Sequence, residues 1–414
     1  MSNIDTYDPR FTAMKKIQKN GKNASTILQD NRNLLLQLIR EHGVISRKQL
    51  SELSGLQQAT VTIIIKEFLE HGLVYENGKL DGGNGRSVKG FSIAGDFYVV
   101  SMRLTAVYIK LALYDTHINS TYVTKVFFKT DDPIYEALEL MQDYLENVVE
   151  KHVSKEKVLC VILGVEHIYR LIENDYAVWD EKRQEYCAIG KKLHDLTQYR
   201  VFTNRAINFS SYDVWDTYKT SNNISNKYTT VINITISYDL ESAVIVNGEL
   251  LYGKTGRCGQ YGNLWIDRDS GKKYNDVLTV PALLARASEL LLEYPESIIA
   301  NIVDLNIRDV VAGYEKGDPL CRKVYDEVIV YLGYLISVFI ECLDPDMLFV
   351  WDEIPNSHDF IISLREETAK YCGDAKAKRI GYLKRKRETK NDPVLIGGAK
   401  YAFDLVIGDI GIYS

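Results

Sequence analysis

Apolar positions fall at helical spacing from Asn31 onward. Leu34, Leu35, Leu38 and Ile39 mark one face of a first helix, and Gly43 ends it. Ser46 stands in capping-box relation to Gln49 and opens a short second helix, with Leu50 and Leu53 predicted inward. Ser54, Gly55 and Leu56 make a tight turn. A third helix is predicted from about Gln57 to His71, with Val61, Ile64, Ile65 and Phe68 on its inner face and Gly72 as its stop. Leu73 to Tyr75 reads as a strand, Asn77 and Gly78 as a hairpin turn, residues 81–86 as a Gly-rich loop and Phe91 to Ile93 as the returning strand. Three helices and a Gly-rich hairpin in this order predict a winged helix-turn-helix over residues 31–93. The polar residues 1–30, with Lys15, Lys16, Lys19 and Lys22, read as an arm or a short leading helix.

Beyond Gly95 the pattern becomes α/β. Tyr98 to Tyr114 is β-rich and broken near Leu104 and Thr105, and Lys125 to Lys129 predicts a further strand. Tyr135 to Val153 predicts an amphipathic helix, Val158 to Val165 a buried strand, Arg200 to Thr203 a short strand and Ala206 to Tyr218 a helix. Thr229 to Ile236 and Ser242 to Val246 predict a hairpin, with Asn247 and Gly248 as the next turn. From Pro281 to about Cys342 the pattern is mostly helical. Met347 to Trp351 predicts a strand and Pro393 to Val406 a last helix. There is no short-period repeat and no low-complexity run.

The 414 residues, 46% hydrophobic and 26% charged, supply apolar material for two or three domains. Net charge is −6 but unevenly spread: residues 1–90 hold 13 Lys+Arg against 9 Asp+Glu, leaving 37 against 47 for the rest. A basic head on an acidic body predicts a polyanion partner at one end only. No stretch reaches the roughly 18–20 continuous apolar residues of a membrane span, and residues 1–20 lack the apolar core of a signal peptide. Cys160, Cys187, Cys258, Cys321, Cys342 and Cys372 are scattered, with no C-x-C or C-x-x-C pair. That argues against a disulfide framework and a local thiolate zinc site, and predicts a reduced, cytoplasmic setting.

In a helix-turn-helix the third helix enters the major groove, so Gln57, Gln58, Thr60 and Thr62 are predicted to face base edges. Arg47, Lys48 and Lys66 are placed for phosphates, Arg86 in the wing for a minor groove and Lys89 for the backbone. The third helix is poor in Arg and Lys and exposes Ile63, which suits the alternative of a winged helix used for protein contact. Lys384 to Arg387 form a basic run, read as a solvated surface segment or a nucleic-acid contact. The acidic Asp344, Asp346, Asp352 and Glu353 have no His or Cys cluster beside them.

Asn31-Arg32, Ile45-Ser46-Arg47, Ser54-Gly55-Leu56, Ala59-Thr60-Val61-Thr62 and Gly85-Arg86-Ser87 resemble the head of ROK-family repressors. These are the xylose and N-acetylglucosamine repressor-like regulators, which share a fold with bacterial glucokinases. In the body, Gly253 to Gly256 leading to Gly259-Gln260-Tyr261-Gly262-Asn263 is similar to the family's G-x-x-G-x-x-G-E-x-G-H segment. Thr203 to Asn208 is similar to its N-D-A-N segment, and Gly397-Gly398-Ala399 to its final Gly-Ala helix. The resemblance implies a two-lobed actin-like (ribonuclease H-like, sugar-kinase-type) α/β body, with lobe I at 95–205 plus 394–414 and lobe II at 206–393.

The departures from the family pattern concern its chemistry. Ser101-Met102-Arg103-Leu104-Thr105 stands where family kinases carry D-x-G-x-T, and bulky Met102 and Leu104 are expected to obstruct a phosphate. The family's catalytic Asp falls at Arg205, whose guanidinium is always protonated and cannot act as a base. The Glu and His of the E-x-G-H segment fall at Gln260 and Asn263. The stretch Asp267 to Asn275, where the zinc cysteines are expected, holds no Cys or His, and the G-x-P-G turn reads Gly164-Val165-Glu166-His167. The resemblance therefore implies a regulator without kinase activity, cofactor or metal. Asn204, Gln260 and Asn263 can hydrogen-bond a sugar hydroxyl. Arg205 can pair with an anionic ligand, or with Glu166 or another acid as a structural ion pair, and His167 is a ligand group or an ordinary polar residue.

The expected function is a DNA-binding transcription regulator, a repressor, acting as a homodimer or higher oligomer. A carbohydrate-like or anionic effector in the interlobe cleft would change the spacing of two DNA-reading heads. Two other readings stay open: a regulator whose body binds no ligand and answers to a protein partner, and a sugar kinase carrying a DNA-binding head.

Overall fold

A computed structural model describes residues 24–81, 87–94, 96–166, 169–172, 175–222, 229–355, 357–382 and 392–406. Arg86, His167, the lysines of the N-terminal arm and the run from Lys384 to Arg387 lie outside these. The chain divides into two compact units, Met1–Phe209 with Glu388–Ser414, and Ser210–Arg387. No described helix is long and apolar enough to cross a membrane.

The first unit opens with α1 (Ala24–His42), β1 (Ile45–Ser46), α2 (Arg47–Ser54), α3 (Gln58–Glu70), β2 (Val74–Asp81) and β3 (Ser87–Ile93). The three strands form a sheet in the order β1-β3-β2, which completes a winged helix-turn-helix. Ser46 and Gln49 make the reciprocal capping box, and Gly55 closes α2 at φ +71. Leu35, Leu36 and Ile39 of α1, Leu50 of α2 and Val61, Ile64, Ile65 and Phe68 of α3 are buried together. Three local expectations change. α1 begins at Ala24, ahead of the apolar pattern that starts near Asn31. Leu53 is exposed, because the eight residues of α2 bury only Leu50. Asn77 and Gly78 are no hairpin turn: β2 runs through them with a bulge, its register to β3 shifting between Glu76 and Lys79.

The body of this unit holds β4 (Tyr98–Leu104), β5 (Tyr108–Asp115), β6 (Ser120–Phe127), α4 (Pro133–Asp143) and β7 (Val158–Val165). A small sheet of β8 (Tyr169–Ile172), β9 (Asp175–Asp180) and β10 (Glu185–Cys187) follows, then α5 (Ile189–Thr197), β11 (Val201–Arg205) and α6 (Ala206–Asn222), within which the second unit begins. The main sheet has the order β11-β7-β4-β5-β6; β4, β5 and β6 pair antiparallel, and β4, β7 and β11 parallel. The predicted helix from Tyr135 to Val153 is α4 passing into a π-helical turn at Tyr144–Val149.

The second unit repeats this topology. β12 (Thr230–Ile236), β13 (Leu240–Val246) and β14 (Glu249–Leu250) form the antiparallel part, and the hairpin β15 (Trp265–Asp267) and β16 (Lys272–Lys273) follows. After α7 (Val280–Leu290), α8 (Ile307–Glu315) and α9 (Pro319–Leu343) comes β17 (Met347–Asp352), then α10 (His358–Cys372), α11 (Asp374–Ala377) and β18 (Ile380–Tyr382). The sheet order is β14-β13-β12-β17-β18, with β12, β17 and β18 parallel. The last helix, α12 (Pro393–Val406), belongs to the first unit.

α12 lies close on β4 and β7, and glycines permit the approach. A Cβ on Gly398 would come within 2.7 Å of Ser101 Oγ, and one on Gly164 within 2.9 Å of Val394 Cγ1. One apolar cluster takes in the head core, the α12 face of β4 and α12 itself. Near the far end of α12, Asp404 Oδ1 accepts from Arg40 Nη2 of α1 at 2.6 Å. The winged-helix head is therefore fastened to the last helix by packing and by an ion pair of low exposure.

Candidate functional site

The N-terminal turn of α3 presents Gln57 and Gln58 to solvent, with Thr60 half-buried beside them. Gln57 is the N-cap residue in extended conformation and its side chain makes no cap hydrogen bond. The Thr62 hydroxyl donates to Gln58 O at 2.8 Å. Lys48 lies 3.8 Å from Glu52, Lys66 3.5 Å from Glu70 and Lys89 2.8 Å from Glu76, all at the surface. Such exposed pairs contribute about 0–1 kcal/mol, so a phosphate can displace the carboxylate from each ammonium. Arg47 differs: its guanidinium lies over the Phe91 ring, 4.4 Å from the centroid, and wedges α2 against β3.

The carboxyl ends of β4, β7 and β11 meet at one sheet edge, the place where open α/β sheets bind ligands. Here that edge is occupied from within. Along β4, Met102 and Leu104 turn into the apolar core and cannot be the expected phosphate obstruction. Arg103 stands on the opposite face. It lies directly across from Lys110 of β5, a like-charge pairing that is unfavourable on its own. Asp392 resolves it: Arg103 Nη1 donates to Asp392 Oδ2 at 2.9 Å, and Lys110 Nζ donates to the same oxygen. Arg103 Nε donates to Glu166 Oε1 at the end of β7. Among the described residues, two cations and two carboxylates meet here with low exposure. Burial alone would raise the Asp392 carboxyl, but Arg103 and Lys110 outweigh it and hold the group at about 2.

Asp392 also caps α12, since Val394 N donates to its Oδ1 at 2.9 Å. One side chain thus starts the last helix and neutralises the sheet edge. Sequence reasoning missed both Asp392 and Lys110. The Asp-Pro pair at 392–393 is a helix-start signal that marks the cap, but nothing local announces its charge partners.

Asn204 and Arg205 end β11 and are buried, Arg205 to 1% exposure. Asn204 Oδ1 accepts from Arg205 N at 2.9 Å and from Asn208 Nδ2 at 2.8 Å, fixing the strand-to-helix turn. Thr203 is tied below them, its hydroxyl donating to Asp175 Oδ1 at 2.5 Å. Glu166, read as a ligand group or a partner of Arg205, has its carboxylate engaged by Arg103.

In the second unit, Gln260 Oε1 accepts from Arg257 Nε at 2.7 Å, and its Nε2 lies 3.5 Å from Glu241 Oε1. Asn263 is exposed at the end of a 3-10 turn, Tyr261–Asn263. The segment where the zinc cysteines were expected is the β15 and β16 hairpin. Asp267 closes its turn by accepting from the backbone N–H groups of Asp269 and Ser270. Among the described residues no three His, Cys, Asp or Glu side chains gather as metal ligands.

A winged helix-turn-helix in front of twice-repeated five-stranded α/β topology defines a regulator-type head on an actin-like, sugar-kinase-type body. The chain belongs to the ROK family, which it matches over residues 99–404. It is similar to the DNA-binding transcriptional repressor Mlc of Escherichia coli K12, at 22% identity over 352 residues, 81% of this chain and 84% of that protein. Among solved structures it is similar to a ROK family transcriptional regulator, a homologue of the E. coli MLC protein. That likeness has a TM-score of 0.77 at 19% identity and covers 94% of this chain and 100% of the other. A ROK family glucokinase from Streptomyces griseus, solved with glucose and AMPPNP, gives a TM-score of 0.59 at 14% identity over 73% of this chain and 98% of its own.

Proposed function

We propose that this protein is a sequence-specific DNA-binding transcription regulator, a repressor, whose body has no phosphoryl-transfer activity. The head carries the reading: a winged helix-turn-helix precedes a ROK body, and the chain is similar over 81% of its length to a relative named a DNA-binding transcriptional repressor. Residues 31–93 are assigned to DNA reading and the remainder to sensing. Gln57, Gln58, Thr60 and Thr62 address base edges, Lys48, Lys66 and Lys89 phosphates, and Arg86 the minor groove. Arg47, stacked on Phe91, serves chiefly to hold α2 in place. In a gel shift with the DNA upstream of its own gene, the wild-type chain should bind. The double variant Gln58→Ala, Thr60→Ala should bind on the order of 10–100-fold more weakly, since one good base contact contributes about 1–3 kcal/mol. Unchanged affinity would reject the assignment of α3.

The proposed absence of kinase activity is supported by the charge cluster at the sheet edge. Arg103 occupies a glycine position of the D-x-G-x-T pattern, and its guanidinium is held by Glu166 and Asp392. Arg205 cannot take a proton from a sugar hydroxyl. ATP with Mg²⁺ should leave the melting temperature unchanged and no sugar should be phosphorylated. Sugar-dependent ATP turnover would refute this.

The effector is proposed to be a small carbohydrate-like or anionic molecule that binds near the end of β11, where Asn204 and Arg205, buried in this conformation, would have to open to meet it. It acts in a cytoplasmic homodimer. A ligand shifts DNA binding only through unequal affinity for two conformations. Within the first unit, α12 offers the connection, joined to the sheet edge by Asp392 and to α1 by Asp404.

A further inference from the structure

The outward face of α3 is less polar than base reading by hydrogen bonds alone requires. Ala59, Thr62, Ile63 and Lys66 stand on it, opposite the buried stripe of Val61, Ile64, Ile65 and Phe68. Ile63 is 66% exposed. Thr62 spends its one hydroxyl proton on Gln58 O, so it offers the outside a methyl group and an acceptor. α3 has no arginine, and its single lysine, Lys66, lies beside Glu70. Guanine is read best by a forked Arg or Lys on O6 and N7, whereas thymine projects a C5-methyl into the major groove for an apolar side chain to cover. The exposed Lys48 and Lys89 of the same head, with Lys66, supply the charge that brings this face against a duplex.

We infer that Ile63, with Ala59 one turn before it, reads thymine methyl groups, so that the operator carries A·T pairs beneath α3. Gln58 then addresses an adenine of the same tract. This rests on the DNA-binding reading above and adds the base type and the residue that selects it. Ile63 is a specificity residue: it touches the base and contributes nothing to the core of the head.

The test begins by selecting a preferred duplex from a randomised pool with the full-length chain. Each thymine in that duplex is then replaced by uracil, which removes only the methyl group. Affinities are measured for the wild type and for Ile63→Ala, a surface change compatible with helix. Covering one methyl contributes about 0.8 kcal/mol, so the wild type should lose about fourfold in affinity for each contacted thymine converted. Ile63→Ala should bind the thymine duplex more weakly from the start and lose nothing further at the thymines that Ile63 covers, keeping only the loss at any thymine under Ala59. A preferred duplex with G·C pairs beneath α3, or equal uracil effects in both proteins, or none in the wild type, would overturn the role of Ile63 while leaving DNA binding intact. A pool that yields no preferred sequence would overturn the DNA-binding reading and this inference with it.

Discussion

Replacing Asp392 with alanine is expected to destabilise the first unit by about 3–5 kcal/mol, the usual loss when one member of a buried charge group is removed. The physical cause is what remains. Arg103 and Lys110 would stay paired across β4 and β5, with Glu166 as their counter-charge among the described residues. Asp392→Asn separates two contributions. Asparagine keeps the acceptor for Val394 N, and the cap itself contributes about 1 kcal/mol, so Asn should recover only that part. Urea unfolding of the full chain, followed by a probe in the first unit, measures both. Losses below about 1 kcal/mol for both variants would contradict a buried, mutually dependent cluster. The pH dependence has a definite sign. The Asp392 carboxyl is held at about 2, below its ordinary 3.8. A group whose pKa is lowered by folding stabilises above its unfolded value and loses that contribution as pH falls. Roughly 2 kcal/mol should therefore disappear between about pH 4 and pH 2 in the wild type and be absent from Asp392→Asn.

Gly259→Ala should be comparably damaging to the second unit, at roughly 3–5 kcal/mol, combining overpacking with backbone strain. Gly259 sits at φ +93, and a Cβ there would lie 1.9 Å from the carbonyl oxygen of Ser242 in the middle of β13. Ser242 N donates to Gly259 O at 2.7 Å, so the loop cannot swing away without losing that bond. Ser242 is in register with Ile234 of β12, and displacing it disturbs the centre of the sheet. Gly271 is the control: its φ is +69, but an added Cβ meets nothing within 4 Å. Gly271→Ala should cost only about 1–2 kcal/mol, the strain of the left-handed region. Equal losses for the two variants, in the same urea experiment, would show that the approach to β13 contributes nothing.

These two sites mark how far the sequence could be read. The head was legible because its signals are local: the helical spacing of α3, the Ser46 box and the glycine stops lie within a few residues of what they control. Leu53 and the Asn77-Gly78 pair misled for the same reason. Each obeys a local rule that the surrounding packing and strand pairing override. In the body, Gly259 and Gly262 kept the resemblance to kinases visible, and the structure gives them packing roles against Ser242 and Asn275. They report backbone geometry rather than chemistry. The charge cluster was not legible. Arg103 and Asp392 are separated by 289 positions, and only the strand register and the return of α12 bring them together. The short strands β8 to β10 were missed because their pairs are few and their sequence alternates weakly.

The arrangement at the sheet edge also constrains descent. Restoring a phosphate-accepting turn would require Arg103 to become glycine, yet that single step strands Glu166, and leaves Asp392 with Lys110 as its remaining named cation. Changing Asp392 first strands two cations. Every one-residue path back passes through a molecule missing part of a buried, coupled charge set, and the losses are not additive. The cluster cannot be dismantled one residue at a time without a folding penalty. The present sheet edge is thus held in place by stability, and changing it to the D-x-G-x-T pattern calls for concerted replacement of Arg103, Lys110 and Asp392.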